Sequence, residues 1–202
     1  MKKRPRILEA GIPCTFNQYF DLPFTLEDIL AEFDCTLERL PIDLPRKSLT
    51  FPIEPLLHQL HRNRNRIELV NETARREALI APILLEVADV SDSRIDIEYS
   101  IAVSEHLRGT IDYYIASNNL VVIEAKQSDL VRGFTQLAIE LLALDRWTQS
   151  DKPILYGIVT TGEDWRFGAF DRQKCCIRQD PKRYLVPEEL IPLLEILLGI
   201  LA

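Results

Sequence analysis

Residues 110–129, Thr110 through Asp129, read TIDYYIASNNLVVIEAKQSD. Two runs of β-branched and aromatic residues flank Ser117-Asn118-Asn119, so the stretch predicts a β-hairpin. Its second arm, Leu120-Val121-Val122-Ile123, has the composition of a buried strand but runs into Glu124-Ala125-Lys126. Charges at the end of a buried strand are costly unless something pairs with them or uses them. Two registers are open. If Asn118-Asn119 form a two-residue turn, Ser117 pairs with Leu120 and Asp112 lies opposite Ala125. If Ser117-Asn118-Asn119 form a three-residue loop, whose last position favours Asn, Ala116 pairs with Leu120 and Asp112 faces Glu124. Lys126 then shares their face, because side chains two apart point the same way.

The second register makes chemical sense of the three charges. Two carboxylates facing each other across a sheet repel. A divalent cation between them reverses the sign, and carboxylate oxygens are hard ligands suited to Mg²⁺ or Mn²⁺. Such a cation polarises a phosphate and helps deprotonate water. Lys126 can then orient the attacking water or stabilise charge building on phosphorus. An Glu-x-Lys on an exposed strand is more often a plain salt pair, and an unrelated α/β domain with such a pair is the competing expectation.

The flanking sequence predicts an α/β domain. NETARREALIAPILLEVAD (71–89) carries a broad apolar helical stripe, with Pro82 predicting a kink or a first-turn restart. From about residue 94 the period becomes two: RIDIEYSIAV puts Ile95, Ile97, Tyr99, Ile101 and Val103 on one face of a half-buried strand. The hairpin follows, then a helix over 130–147. PILYGIVTTG (153–162) is apolar enough for a central strand covered on both faces. WRFGAFDR and KCCIRQ read as outer strands, and a closing helix begins near Pro187-Glu188-Glu189. Upstream, TLEDILAEFDCTLERL (25–40) reads as helix behind a Thr25 cap. Residues 1–70 are expected to be a helical N-terminal extension, and 71–202 the principal domain.

With 47% hydrophobic and 27% charged residues among 202, one core can be filled and wholesale disorder is excluded. A net charge of −7 weighs against a protein that coats nucleic acid, though not against a local basic face. Four cysteines without a CxxC and only three histidines suggest no disulfide framework and no zinc ribbon, so a cytoplasmic setting is expected. The basic start MKKRPR is not followed by an apolar signal core, and no apolar run is long enough to span a bilayer. The C-terminal ELIPLLEILLGILA is apolar enough to support a homodimer.

Asp112, then Glu124-Ala125-Lys126 on the next strand, within an α-β-β-β-α-β order, resemble the PD-(D/E)XK nuclease superfamily, the restriction endonuclease-like fold. The resemblance covers about residues 71–161. It implies an αβββαβ core with a mixed central sheet flanked by helices, and Mg²⁺- or Mn²⁺-dependent hydrolysis of nucleic-acid phosphodiesters, with DNA as the expected substrate. Asp112 and Glu124 take the places of the metal ligands and Lys126 that of the catalytic lysine. NETARREALIAPILLEVAD is similar to the first helix of such domains in type I restriction motor subunits, so Glu72 takes the place of the supporting helix acid, with Glu77 second. Gln136 matches a helix glutamine near the lysine or the substrate phosphate. Ile111 stands where the superfamily's name puts Pro. Arg64, Arg66, Arg75, Arg76 and Arg108 are the candidate phosphate contacts, although Arg75 and Arg76 can instead pair with Glu72 or Glu77 at helical spacing. A catalytically inactive member, binding nucleic acid or serving assembly, is the alternative.

Overall fold

The computed structural model describes residues 6–116, 120–124, 129–148 and 151–202, with 120–124 described by backbone alone. Helices α1 (Phe16–Asp21) and α2 (Leu26–Ala31) precede strand β1 (Thr36–Arg39) and helix α3 (Glu54–Arg66). Next come α4 (Glu72–Arg75), a π-helical turn (Arg76–Ile80) and α5 (Ala81–Ser91), leading into β2 (Ile95–Ala102), β3 (Arg108–Ile115) and β4 (Leu120–Glu124). Helix α6 (Leu130–Thr148) leads to β5 (Ile154–Thr160), then β6 (Asp164–Asp171), β7 (Cys176–Leu185) and α7 (Leu190–Leu201). From α5 to β5 this is the α-β-β-β-α-β order expected from the sequence.

The seven strands form one mixed sheet in the order β1-β7-β6-β5-β4-β3-β2. β2, β3 and β4 make an antiparallel meander, and β4 lies parallel to β5. A parallel neighbour needs a crossover, and α6 supplies it. β5 is the middle strand and is buried on both faces, as its unbroken apolar sequence predicts. Leu155 and Val159 pack with α1, α2 and α6 on one side, while Ile158 packs with α3, α5 and α7 on the other. Gly157 lets α6 lie close: a Cβ there would stand 2.7 Å from Leu137 Cδ1.

Three sequence expectations change. Residues 25–40 are not one helix. The Thr25 hydroxyl caps α2 by accepting from the Asp28 N–H, but left-handed Asp34 (φ 58°) ends the helical run, and 36–39 pair in parallel with β7 as an edge strand. Edge pairing of Thr36 and Leu37 outweighs the helical periodicity, because propensity yields to tertiary context. The outermost strands are therefore β1 and β2, not β6 and β7. The cysteines are not all free: Cys35 and Cys175 form a disulfide across a separation of 140 residues, joining the start of β1 to the β6–β7 turn.

The helix over 71–91 does restart at Pro82, through a π turn. Pro82 has no N–H to give the Ala78 carbonyl one turn back. Asn63 Nδ2 of α3 supplies that hydrogen bond instead, at 2.9 Å. The side-chain amide both satisfies the buried carbonyl and ties α3 to the turn. Among the described residues, no helix is long and apolar enough to cross a membrane.

Candidate active site

Asp112 lies where β2 and β3 lose their regular alternation. Ile97 pairs with Tyr113 and Tyr99 with Ile111, but the intervening Glu98–Asp112 pair is missing from the ladder. Glu98 takes a left-handed backbone, φ 55°, which costs a non-glycine residue about 1–3 kcal/mol. The faces exchange at this point. On β3, Ile111 and Tyr114 belong to the core beneath α6, whereas Tyr113 and Ile115 belong to the core beneath α5 and α7. On β2, Ile95 packs on the second core, and Tyr99, Ile101 and Val103 on the first. The single buried face expected over 95–103 is thus split between the two layers.

That exchange sets the electrostatics of Asp112. From the π turn, Arg76 Nη1 donates to Glu98 Oε1 at 2.7 Å and stands 3.5 Å from Asp112 Oδ1. The guanidinium also lies over the Tyr113 ring, 5.1 Å from its centre. Burial opposes the charge on Arg76, but Tyr113, Glu98 and Asp112 outweigh it and raise its pKa further. Burial pushes the Tyr113 phenol up, with Arg76 opposing. From the other layer, Glu140 of α6 feels the charge of Asp112. Asp112 therefore stands beside Arg76 of the π turn, and its charge bears on Glu140 of α6. Strand irregularities that re-aim a side chain, and π turns, both recur at functional sites.

The hairpin register is neither of the two expected. Ile115 pairs with Leu120, Tyr114 with Val121 and Tyr113 with Val122, so four positions, 116–119, lie between the last paired residues. The pair nearest Asp112 in this ladder is Tyr113 with Val122. Burial fixes register more strongly than turn chemistry does: the core residues Tyr113 and Ile115 are among those that take partners. Glu124 closes β4 with its backbone level with Thr160 of β5. Its side chain, the turn at 117–119 and Lys126 lie outside the described residues, so the convergence of Asp112, Glu124 and Lys126 is not on view.

Gln136 is buried at the centre of α6. Its Nε2 donates to Glu140 Oε1 at 2.9 Å and to Asn17 Oδ1 of α1 at 3.2 Å. Glu140 is fully buried, and its Oε2 has no hydrogen-bond partner among the described residues. Burial pushes its pKa well above the usual carboxylate range; the Gln136 bond opposes this and Asp112 adds to it. Sequence reasoning missed Glu140, although the signal was present: it is the one acid inside the apolar run LAIELL, one helical turn beyond Gln136. Glu98 was missed because nothing in an alternating strand marks a left-handed residue.

Glu72 opens α4 behind the Asn71 cap, half-buried and one turn ahead of Arg76, and Glu77 is exposed. The arginines expected on phosphate divide. Arg64 and Arg75 converge on Glu163, at 2.9 and 3.2 Å, and Arg75 also donates to the Thr161 carbonyl at 3.2 Å. The β5–β6 turn can sit this close because Gly162, at φ 87°, has no Cβ; one would lie 2.8 Å from Leu79 Cβ. Arg75 and Arg76 thus find their acids on other elements rather than along their own helix. Arg66 is exposed at the end of α3, and Arg108 is exposed at the start of β3.

Among the described residues, no three His, Cys, Asp or Glu side chains converge as a metal site. Asp112 and Glu140 each carry carboxylate oxygens, the hard donor type that Mg²⁺-type ions prefer. Compared with family models, with curated proteins and with solved structures, the chain matches none of them.

Proposed function

We propose that the chain is a Mg²⁺- or Mn²⁺-dependent nuclease with a restriction endonuclease-like core, acting on DNA phosphodiesters. The observation that carries this reading is the position of Asp112. It stands at the face exchange of β3, beside the strand that ends in Glu124, with Arg76 of the π turn 3.5 Å from its Oδ1. The β2–β4 meander with its parallel β4–β5 crossover supports the same core. The oxygen that Glu140 leaves unanswered inside the protein suits a site built for a hard cation.

Asp112 and Glu124 would hold the ion. When bound, it supplies Lewis-acid charge to the scissile phosphate and to the attacking water. Lys126, two residues beyond Glu124, serves as the cation that orients the nucleophile. Arg76 keeps its charge throughout, and its guanidinium lies close enough to Asp112 to meet a phosphate brought there. Glu72, one helical turn ahead of Arg76, takes the place of the supporting acid.

A second reading, a nuclease fold without activity that serves binding or assembly, is favoured by one observation. Arg64, Arg75 and Arg76 already have acidic partners, which leaves less free positive charge for a nucleic-acid backbone. Incubating purified protein with supercoiled plasmid separates the two readings. The nuclease reading expects nicked or linear product with Mg²⁺ or Mn²⁺ and none with excess chelator. Intact plasmid under every metal condition favours the inactive module.

A further inference from the structure

Glu140 is a buried polar group that packing alone does not explain. It lies in the buried middle of α6 with no exposure to solvent. One carboxyl oxygen takes the Gln136 amide at 2.9 Å, and that amide is itself tied to Asn17 at 3.2 Å. The carboxyl is thus held by a side chain of its own helix, which α1 in turn holds in place. Its other oxygen has no hydrogen-bond partner among the described residues. Proteins seldom keep a buried polar atom unanswered, and the exceptions tend to mark ligand, ion or catalytic positions. The charge that bears on Glu140 is that of Asp112, another acid, which aggravates the problem rather than relieving it. A helix built only for packing would carry Leu or Met here at lower cost.

A hard divalent cation would answer the open Glu140 oxygen and offset the charge of Asp112, which already stands beside Arg76. Carboxylate oxygens are its preferred ligands, and Mg²⁺-type sites commonly take one or two of them and complete the shell with water and phosphate. We propose that Glu140 is a carboxylate ligand of the divalent cation that Asp112 binds, oriented by Gln136 as a positioning residue. The proposal rests on the metal-dependent reading of the site and adds a ligand from α6 that the hairpin alone does not supply. It also assigns a purpose to the Gln136–Asn17 bond. By fixing Gln136, α1 couples the N-terminal segment to the geometry of the site. A partner that fixes the orientation of a metal ligand typically contributes about 10–100-fold to metal affinity.

The test is a calorimetric titration of Mn²⁺ alone into wild-type protein, Glu140→Gln and Asp112→Asn, with each variant's fold checked by circular dichroism. The proposal expects wild type to take up Mn²⁺ and both variants to bind at least about tenfold more weakly. Glu140→Gln binding Mn²⁺ as wild type does, while Asp112→Asn loses it, overturns the role of Glu140 and leaves the metal site standing. No uptake by wild type overturns the metal-dependent reading and this proposal with it. Should Glu140→Gln fail to fold, Glu140→Asp keeps the charge on a side chain one methylene shorter. Weakened binding supports the proposal, and unchanged binding overturns it.

Discussion

Glu140 illustrates how a single residue trades stability for chemistry. Burial, aided by Asp112, holds its carboxyl neutral in the folded protein well above the pH at which an unfolded glutamate ionises. The sign of the pH dependence follows. As pH rises past the ordinary glutamate range, the unfolded chain gives up this proton while the folded protein keeps it. The unfolded state then gains relative to the folded one, and this group's contribution declines with rising pH until the raised folded pKa is reached. Thermal melts in chelator from pH 5 to 8 therefore predict a widening gap in favour of Glu140→Gln over wild type. Parallel melting curves would contradict the assignment. Glu98 carries a related cost in its backbone, at φ 55°, and the ion pair it forms with Arg76 is what its side chain gives in return.

At the level of elements, the π turn depends on a bond from outside its own helix. Asn63 Nδ2 takes the Ala78 carbonyl that Pro82 cannot serve. Asn63→Ala is predicted to destabilise the fold by about 1–3 kcal/mol, the cost of a buried acceptor left unsatisfied. In a Pro82→Ala background the cost shrinks, because residue 82 regains an N–H for the same carbonyl. A double-mutant cycle by urea denaturation measures this coupling, and additive losses would contradict it. The sequence announced the break at Pro82 but could not name the donor, which stands on another helix. The same limit governs the hairpin. Its two arms were plain from Tyr113-Tyr114-Ile115 and Leu120-Val121-Val122, but turn preference favoured shorter loops than the one that burial selects. Over 95–103 the period of two marked a strand correctly, yet one left-handed residue divided its buried face between two cores.

At the scale of the molecule, local signals sufficed for the α-β-β-β-α-β order and for the central place of β5, because those elements are long and strongly patterned. The N-terminal segment was less legible. β1 has four residues, and its partner lies 140 positions away in the chain, so only the folded sheet shows it to be a strand. The Cys35–Cys175 disulfide fastens the same junction. Closing a loop of that length restricts the unfolded chain by about 3–5 kcal/mol. Urea midpoints should therefore fall on adding reductant to wild type. The Cys35→Ser/Cys175→Ser protein should match reduced wild type and ignore reductant. Midpoints unaffected by reductant in wild type would show that this bond does not hold the edge strand in place.

The central claim, that Asp112 anchors a metal-dependent phosphodiesterase with Lys126 beside it, is tested most directly by the rate of supercoiled-plasmid cleavage at saturating Mg²⁺. Wild type is compared with Asp112→Ala and Lys126→Ala, each matched for fold. The account predicts that each substitution lowers the rate by about 10²-fold or more, in keeping with the loss of a group that stabilises charge or moves a proton in the transition state. Cleavage by both variants at the wild-type rate would contradict it.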